Sequence, residues 1–149
     1  MVVTSMQNRR SGNSSLFMDN LVLNLKEDFP DLKFLTGKKF AFRPSKTIVL
    51  GPREPNYEAL VLHEVAHALC GHKDFSADIE RVKMECEAWK KAKELAQRYK
   101  IKIDEEMIQE ELDTYRDWLH QKSRCRFCGL TRFQTRDGQY HCPRCENLA

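Results

Sequence analysis

Residues 57–72 read Tyr57-Glu58-Ala59-Leu60-Val61-Leu62-His63-Glu64-Val65-Ala66-His67-Ala68-Leu69-Cys70-Gly71-His72, and this run orders the rest of the chain. Pro55, just ahead of it, cannot sit inside a helix, and Gly71 suits the left-handed position that closes one. The stretch therefore predicts a helix from near Asn56 to Gly71. Four residues advance about 400° around a helix axis, so His63 and His67 project from one face a turn apart, as two imidazole ligands of one zinc ion require. Glu64 is offset by about 100°, near the metal but off the ligand line, where its carboxylate can take a proton from water that zinc has acidified. Val61, Leu62, Val65, Ala68 and Leu69 lie away from the histidines and form a back that packs against a sheet, leaving the metal side towards a cleft.

A hydrolytic zinc keeps three protein ligands and one open position. The downstream candidates for the third ligand are His72, Glu80, Glu85 and Glu87. The helix expected from the Ser76 cap to about Lys100 separates the glutamates. At about 100° per residue, Glu85 shares its face with Val82, Ala88, Trp89, Ala92 and Ala96, whereas Glu87 sits among Glu80, Lys83, Lys90, Lys91, Glu94 and Arg98 on a charged face. An acid on an apolar stripe is costly unless paired or bound to metal, which selects Glu85; a pairing with Arg81 or a backbone group is the bland alternative. Two readings of His72 stay open. A sharp turn at Gly71 swings it to the metal, or it is a surface histidine or one behind the ligands.

The other chemistry lies at the C-terminal end. Cys125-Arg126-Phe127-Cys128 and Cys142-Pro143-Arg144-Cys145 are separated by residues 129–141, which alternate through Leu130, Phe133 and an Asp137-Gly138 turn to Tyr140. Paired CxxC knuckles flanking a hairpin read as a tetrathiolate zinc ribbon, whose folding energy comes from the metal because so short a segment has no core. His141 in place of Cys142 is the alternative. Phe127, Phe133 and Tyr140 either stack on bases or cover the hairpin. Cys70 and Cys86 read as small buried hydrophobes, and Tyr115 and Trp118 as core.

The run His63–His72, followed by Glu85-Cys86-Glu87-Ala88-Trp89-Lys90-Lys91-Ala92, resembles the ImmA/IrrE-like metallopeptidases. In that family an HExxH helix commonly runs into Gly-His, and a later ExEAxxxA helix completes a glutamate-type zinc site. The likeness covers residues 38–98. It implies a small α+β peptidase with His63, His67 and Glu85 as zinc ligands and Glu64 as catalytic acid/base, in which the strand Thr47–Leu50 pairs with an extended substrate. The chain departs from the family at Trp89, where a small polar residue usually supports the site. SprT-like proteases also join HExxH to a C-terminal ribbon. Their third ligand is a histidine well beyond the motif, and after His72 this chain has none until His120.

Elsewhere, Phe17, Leu21, Val22 and Leu25 recur at helical spacing after a Ser14 or Ser15 cap. Lys39–Arg43 and Thr47–Leu50 read as paired strands, and a last helix after Asp104 keeps Ile108, Leu112, Tyr115 and Leu119 on one side. The best apolar stretch, Leu16–Leu25, is broken by Asp19, Asn20 and Asn24, so a membrane span is excluded. No apolar segment suited to a secretory signal follows Val2-Val3. Net charge is only +3, too small for nucleic-acid binding by the whole chain, but residues 121–149 hold six Lys/Arg against two acids. That basic ribbon is suited to nucleic acid or an acidic protein. The expected organisation is a disordered arm at 1–13, a zincin-like metallopeptidase domain at 14–121 and a four-cysteine zinc ribbon at 122–149, in a reducing cytoplasm. The expected activity is hydrolysis of a protein or peptide substrate using one catalytic and one structural Zn2+. The alternatives are a SprT-like protease and a non-catalytic regulatory or nucleic-acid-binding protein that works through its ribbon.

Overall fold

The computed structural model describes residues 14–146, with side chains from residue 20 onward; the arm expected at 1–13 lies outside the described residues. The architecture is mixed α+β, with elements in the order α1 (Ser14–Asp28), β1 (Lys33–Thr36), β2 (Ala41–Arg43), β3 (Thr47–Leu50), α2 (Tyr57–Leu69), α3 (Asp78–Tyr99), α4 (Glu105–Ser123), β4 (Phe133–Gln134) and β5 (Tyr140–His141).

The strands read from sequence form the antiparallel pair β2–β3, with Phe42 opposite Ile48. A third strand, β1, joins the other side of β3 in parallel, aligning Phe34 with Ile48, so the sheet order is β1-β3-β2. β1 escapes a reading of alternation because its side chains are almost all exposed. Its arrival corrects the expectation that Thr47–Leu50 pairs with substrate. β3 is the central strand, both its edges are filled, and the open edges belong to β1 and β2. Thr47, Ile48 and Val49 are all buried, as befits a strand covered on both faces.

α2 packs between the strands β2 and β3 and the helix α3, and Val61, Leu62, Val65 and Ala66 are fully buried. Leu69, expected on that back, is instead partly exposed at the helix end. The helix closes as the glycine foretold. Gly71 takes φ +69°, its N–H donates to the Ala68 carbonyl (3.2 Å), and the His72 N–H donates to the His67 carbonyl (3.1 Å). This is the paired C-terminal motif that satisfies otherwise orphaned carbonyls, and it folds His72 back over the last turn. At the start of α3, Ser76 does not accept from the helix. The Glu80 carboxylate reaches back and accepts from the Ser76 hydroxyl and from the backbone N–H groups of Ser76 and Ala77. Asp104 caps α4 by accepting from the Glu106 N–H.

The β4–β5 hairpin docks on the first residue of α3. Asp78 is 5% exposed, and its Oδ2 accepts from the Tyr140 hydroxyl (2.8 Å), Gln134 Nε2 (3.2 Å) and Lys122 Nζ (2.8 Å). The Asp78 N–H in turn donates to Gln134 Oε1 (2.8 Å). A buried carboxylate with three donors at a helix N-terminus is a favourable place for its charge. Tyr140→Phe removes one donor from that buried acid and is expected to cost about 1–2 kcal/mol in urea denaturation; an unchanged midpoint would mean that the hairpin does not lean on α3.

Candidate metal centres

α2 and α3 bring three ligating atoms together. Nε2 of His63 and Nε2 of His67 lie 3.0 Å apart, and Glu85 Oε2 is 3.1 Å from the first and 3.4 Å from the second. All three residues are buried, and this group could hold a metal ion. The one-turn spacing on α2 sets the two imidazoles side by side, and Glu85 arrives from the α3 stripe that also carries Val82, Ala88, Trp89 and Ala92. The alternative partner for Glu85 is not used. The Arg81 guanidinium lies over the rings of Phe75, Tyr115 and Trp118, 5.2–5.8 Å from their centroids.

Ring packing fixes the imidazole planes. Trp89 lies tilted by 30° against His63 at 4.2 Å, and Phe42 stacks on His67 at 6.1 Å. His63 Nδ1 is buried with no hydrogen-bond partner, and the Trp89 indole lies against the same ring. His67 differs: its Nδ1 is 2.8 Å from His72 Nδ1, and His72 Nε2 is 3.2 Å from Glu87 Oε2. His72 therefore stands behind His67 and is not one of the three residues whose atoms converge. Glu87 lies on the exposed face as expected, and it is from there that its carboxylate meets His72.

Glu64 stands apart from the three ligating atoms and accepts a hydrogen bond from the Phe42 backbone N–H. Burial pushes its carboxyl up to about 7, against the pull of His67. Burial likewise lowers His63, a trend the Glu85 hydrogen bond only partly offsets. Burial also works against the Glu85 charge, but hydrogen bonds with His63 and His67 outweigh it and hold that carboxyl at about 2. These groups line a cavity of about 350 Å³ whose wall includes Phe40, Phe42 and Tyr115. Sequence reasoning missed Tyr115 as a cleft residue. Ile108 and Leu112 on its stripe are core, but Tyr115 is only half-buried, and burial pushes its phenol up to about 12. Trp118 is half-buried too, under Arg81.

The second group is the four cysteines. Cys125 Sγ lies 3.9 Å from Cys145 Sγ, and Cys128 Sγ lies 3.5 Å from Cys142 Sγ, a cluster that could hold another ion. Backbone N–H groups of Cys128 and Phe127 point at the Cys125 sulfur and pull its thiol down to about 6. His141 does not replace Cys142; its Nδ1 pairs with Glu146 at 2.6 Å. Phe127 is 81% exposed, Phe133 stacks on His141, and Tyr140 is taken by Asp78. Cys70 and Cys86 are both exposed, which corrects their reading as buried hydrophobes. Cys70 follows the last residue of α2 and Cys86 faces outward beside the α3 stripe, positions that a helical wheel alone does not mark as covered or open.

Neither protein-family models, nor curated proteins, nor solved structures give a match to this chain.

The electrostatics give a signed pH dependence for chelated protein. His63 is lowered below 6.5 in the folded state, so the unfolded chain binds more protons as pH falls through that value and stability is lost. The Glu85 contribution, present above about 4.5, is lost further down towards 2. Glu64 works the other way, because its raised carboxyl takes up a proton in the folded state at about 7 and adds stability as pH falls. In a Glu64→Gln background, urea midpoints of EDTA-treated protein, followed by circular dichroism, should fall from pH 7.5 to 5.5 and fall less when His63→Gln is added. A flat profile in Glu64→Gln would contradict the burial of that imidazole.

Proposed function

We propose that this chain is a zinc metallopeptidase of the small zincin type, resembling the ImmA/IrrE-like enzymes, with a C-terminal zinc ribbon. The observation that carries the reading is the triangle of Nε2, Nε2 and Oε2 with edges of 3.0–3.4 Å. With bonds of about 2.0–2.1 Å and tetrahedral angles, neighbouring zinc ligands stand about 3.3–3.4 Å apart, so two neutral imidazoles and a carboxylate fit the ion as placed. Three ligands leave one corner for water or substrate, and the cavity runs along the same residues.

Bound there, zinc would polarise a peptide carbonyl and acidify water. The chain's own groups do the rest. Glu64, near neutral in its affinity for a proton, takes one from the attacking water and delivers it to the leaving amine. Phe42 N–H holds that carboxylate in place. Tyr115 stays protonated at neutral pH and offers a hydrogen bond to negative charge developing on the carbonyl oxygen. The open edge of β2, whose Ala41 and Phe42 line the cavity, is where an extended peptide can add as a strand.

For the ribbon, sulfur atoms on a tetrathiolate zinc stand about 3.7–3.8 Å apart, close to the separations seen here. Thiolates in this role suit a reducing cytoplasm, and among the described residues no helix is long and apolar enough to cross a membrane. The SprT-like alternative loses ground because His120 is exposed and outside the ligating group. A second reading, in which the ribbon binds nucleic acid or an acidic protein, is favoured by the bare Phe127 ring beside the Arg126 guanidinium (5.7 Å).

Glu64→Gln is expected to keep both metal ions and to lose cleavage of a peptide library by about 10³-fold; undiminished cleavage would remove Glu64 from the mechanism. Tyr115→Phe should lower kcat by about 10²-fold with little change in KM, and a change confined to KM would make the tyrosine a binding group only.

A further inference from the structure

We propose that Glu87 and His72 form a two-residue relay that fixes the tautomer and orientation of His67, making both of them positioning residues of the metal centre. The inference rests on the metal-binding part of the reading above and not on peptide cleavage.

The contacts run in one line. Glu87 Oε2 is 3.2 Å from His72 Nε2, and His72 Nδ1 is 2.8 Å from His67 Nδ1. An ionised carboxylate only accepts, so the proton of neutral His72 sits on Nε2 and donates to Glu87. His72 Nδ1 is then a bare acceptor, and the hydrogen between the two Nδ1 atoms must belong to His67. A His67 ring protonated at Nδ1 has its free lone pair at Nε2, the atom 3.0 Å from His63 Nε2 and 3.4 Å from Glu85 Oε2. Each link thus excludes the tautomer that cannot bind metal. An outer carboxylate orienting a ligand histidine is a general device, but here a second imidazole is interposed.

Local folding makes the relay. The Gly71 turn brings His72 back over His67, and His72 is buried although it lies outside the helix. Glu87 stands on the solvent face of α3, where Lys91 pairs with Glu94 and leaves the Glu87 carboxylate to His72. His63 serves as an internal contrast. Its Nδ1 has no partner, and its ring lies against Trp89 and edge-on to His67.

The test measures zinc affinity of the full chain at the His–Glu group, by competition with a chromophoric chelator after the thiolate site is filled, together with nitrogen-15 shifts of the histidine rings. The Glu87 side chain is 66% exposed, so Glu87→Ala leaves the core in place. It should weaken zinc by about 10-fold or more, and His72→Phe by as much or more. The double variant should bind no worse than His72→Phe alone, because both act through one line of contacts. Glu94→Ala, on the same face, should change nothing. With the His–Glu group free of zinc, His67 should show a protonated Nδ1 in the parent protein and a mixture of tautomers in Glu87→Ala. Unchanged affinity in Glu87→Ala, additive losses in the double variant, or a His67 ring protonated at Nε2 in the parent would each overturn the relay. A parent chain that binds no zinc at the His–Glu group would instead overturn the metallopeptidase reading, while the ring shifts would still decide the tautomer.

Discussion

A carboxylate on the apolar stripe of a helix is unstable by several kcal/mol unless the interior supplies something to meet its charge. Glu85 is such a carboxylate, 8% exposed and surrounded on its own helix by Val82, Ala88 and Trp89. What meets it is a pair of imidazoles from the neighbouring helix. The α2 register must place His63 and His67 one turn apart on the side facing α3, and its opposite side must be apolar enough to pin it to the sheet. The fully buried Val61, Leu62 and Val65 do the pinning. The site and the core are thus two faces of one helix.

The two imidazoles are held by unlike means. His63 depends on packing, with an indole against its face and an unsatisfied Nδ1, whereas His67 leans on a polar line that leads out to solvent. The ribbon enters the same framework through Asp78, which begins α3 two turns before Glu85. Order in the cysteine segment is thereby joined to the helix that carries Glu85, and the boundary expected at residue 121 falls inside α4, which continues to Ser123.

Much of this was legible because it rests on local periodicity. The histidine spacing, the Gly71 stop, the burial of Glu85 and the CxxC pairs depend on residues near one another in sequence. What escaped depends on contacts between distant segments. β1 has exposed side chains and is recognisable only once β3 lies beside it. Tyr115 looked like core because it continues the Ile108–Leu112 stripe, yet the helix runs past the core and over the cleft. Glu87 is exposed, as its helical face predicts; only its contact with His72 escaped, because that partner lies fifteen residues earlier and is placed by the Gly71 turn.

The measurement that bears most directly on the His–Glu centre is zinc-edge X-ray absorption on the purified chain, with metal content determined in parallel. Two zinc ions per chain are expected, with a first shell mixing nitrogen or oxygen at about 2.0–2.1 Å and sulfur at about 2.3 Å. A single ion with sulfur neighbours alone would leave His63, His67 and Glu85 without a metal and contradict the hydrolase reading.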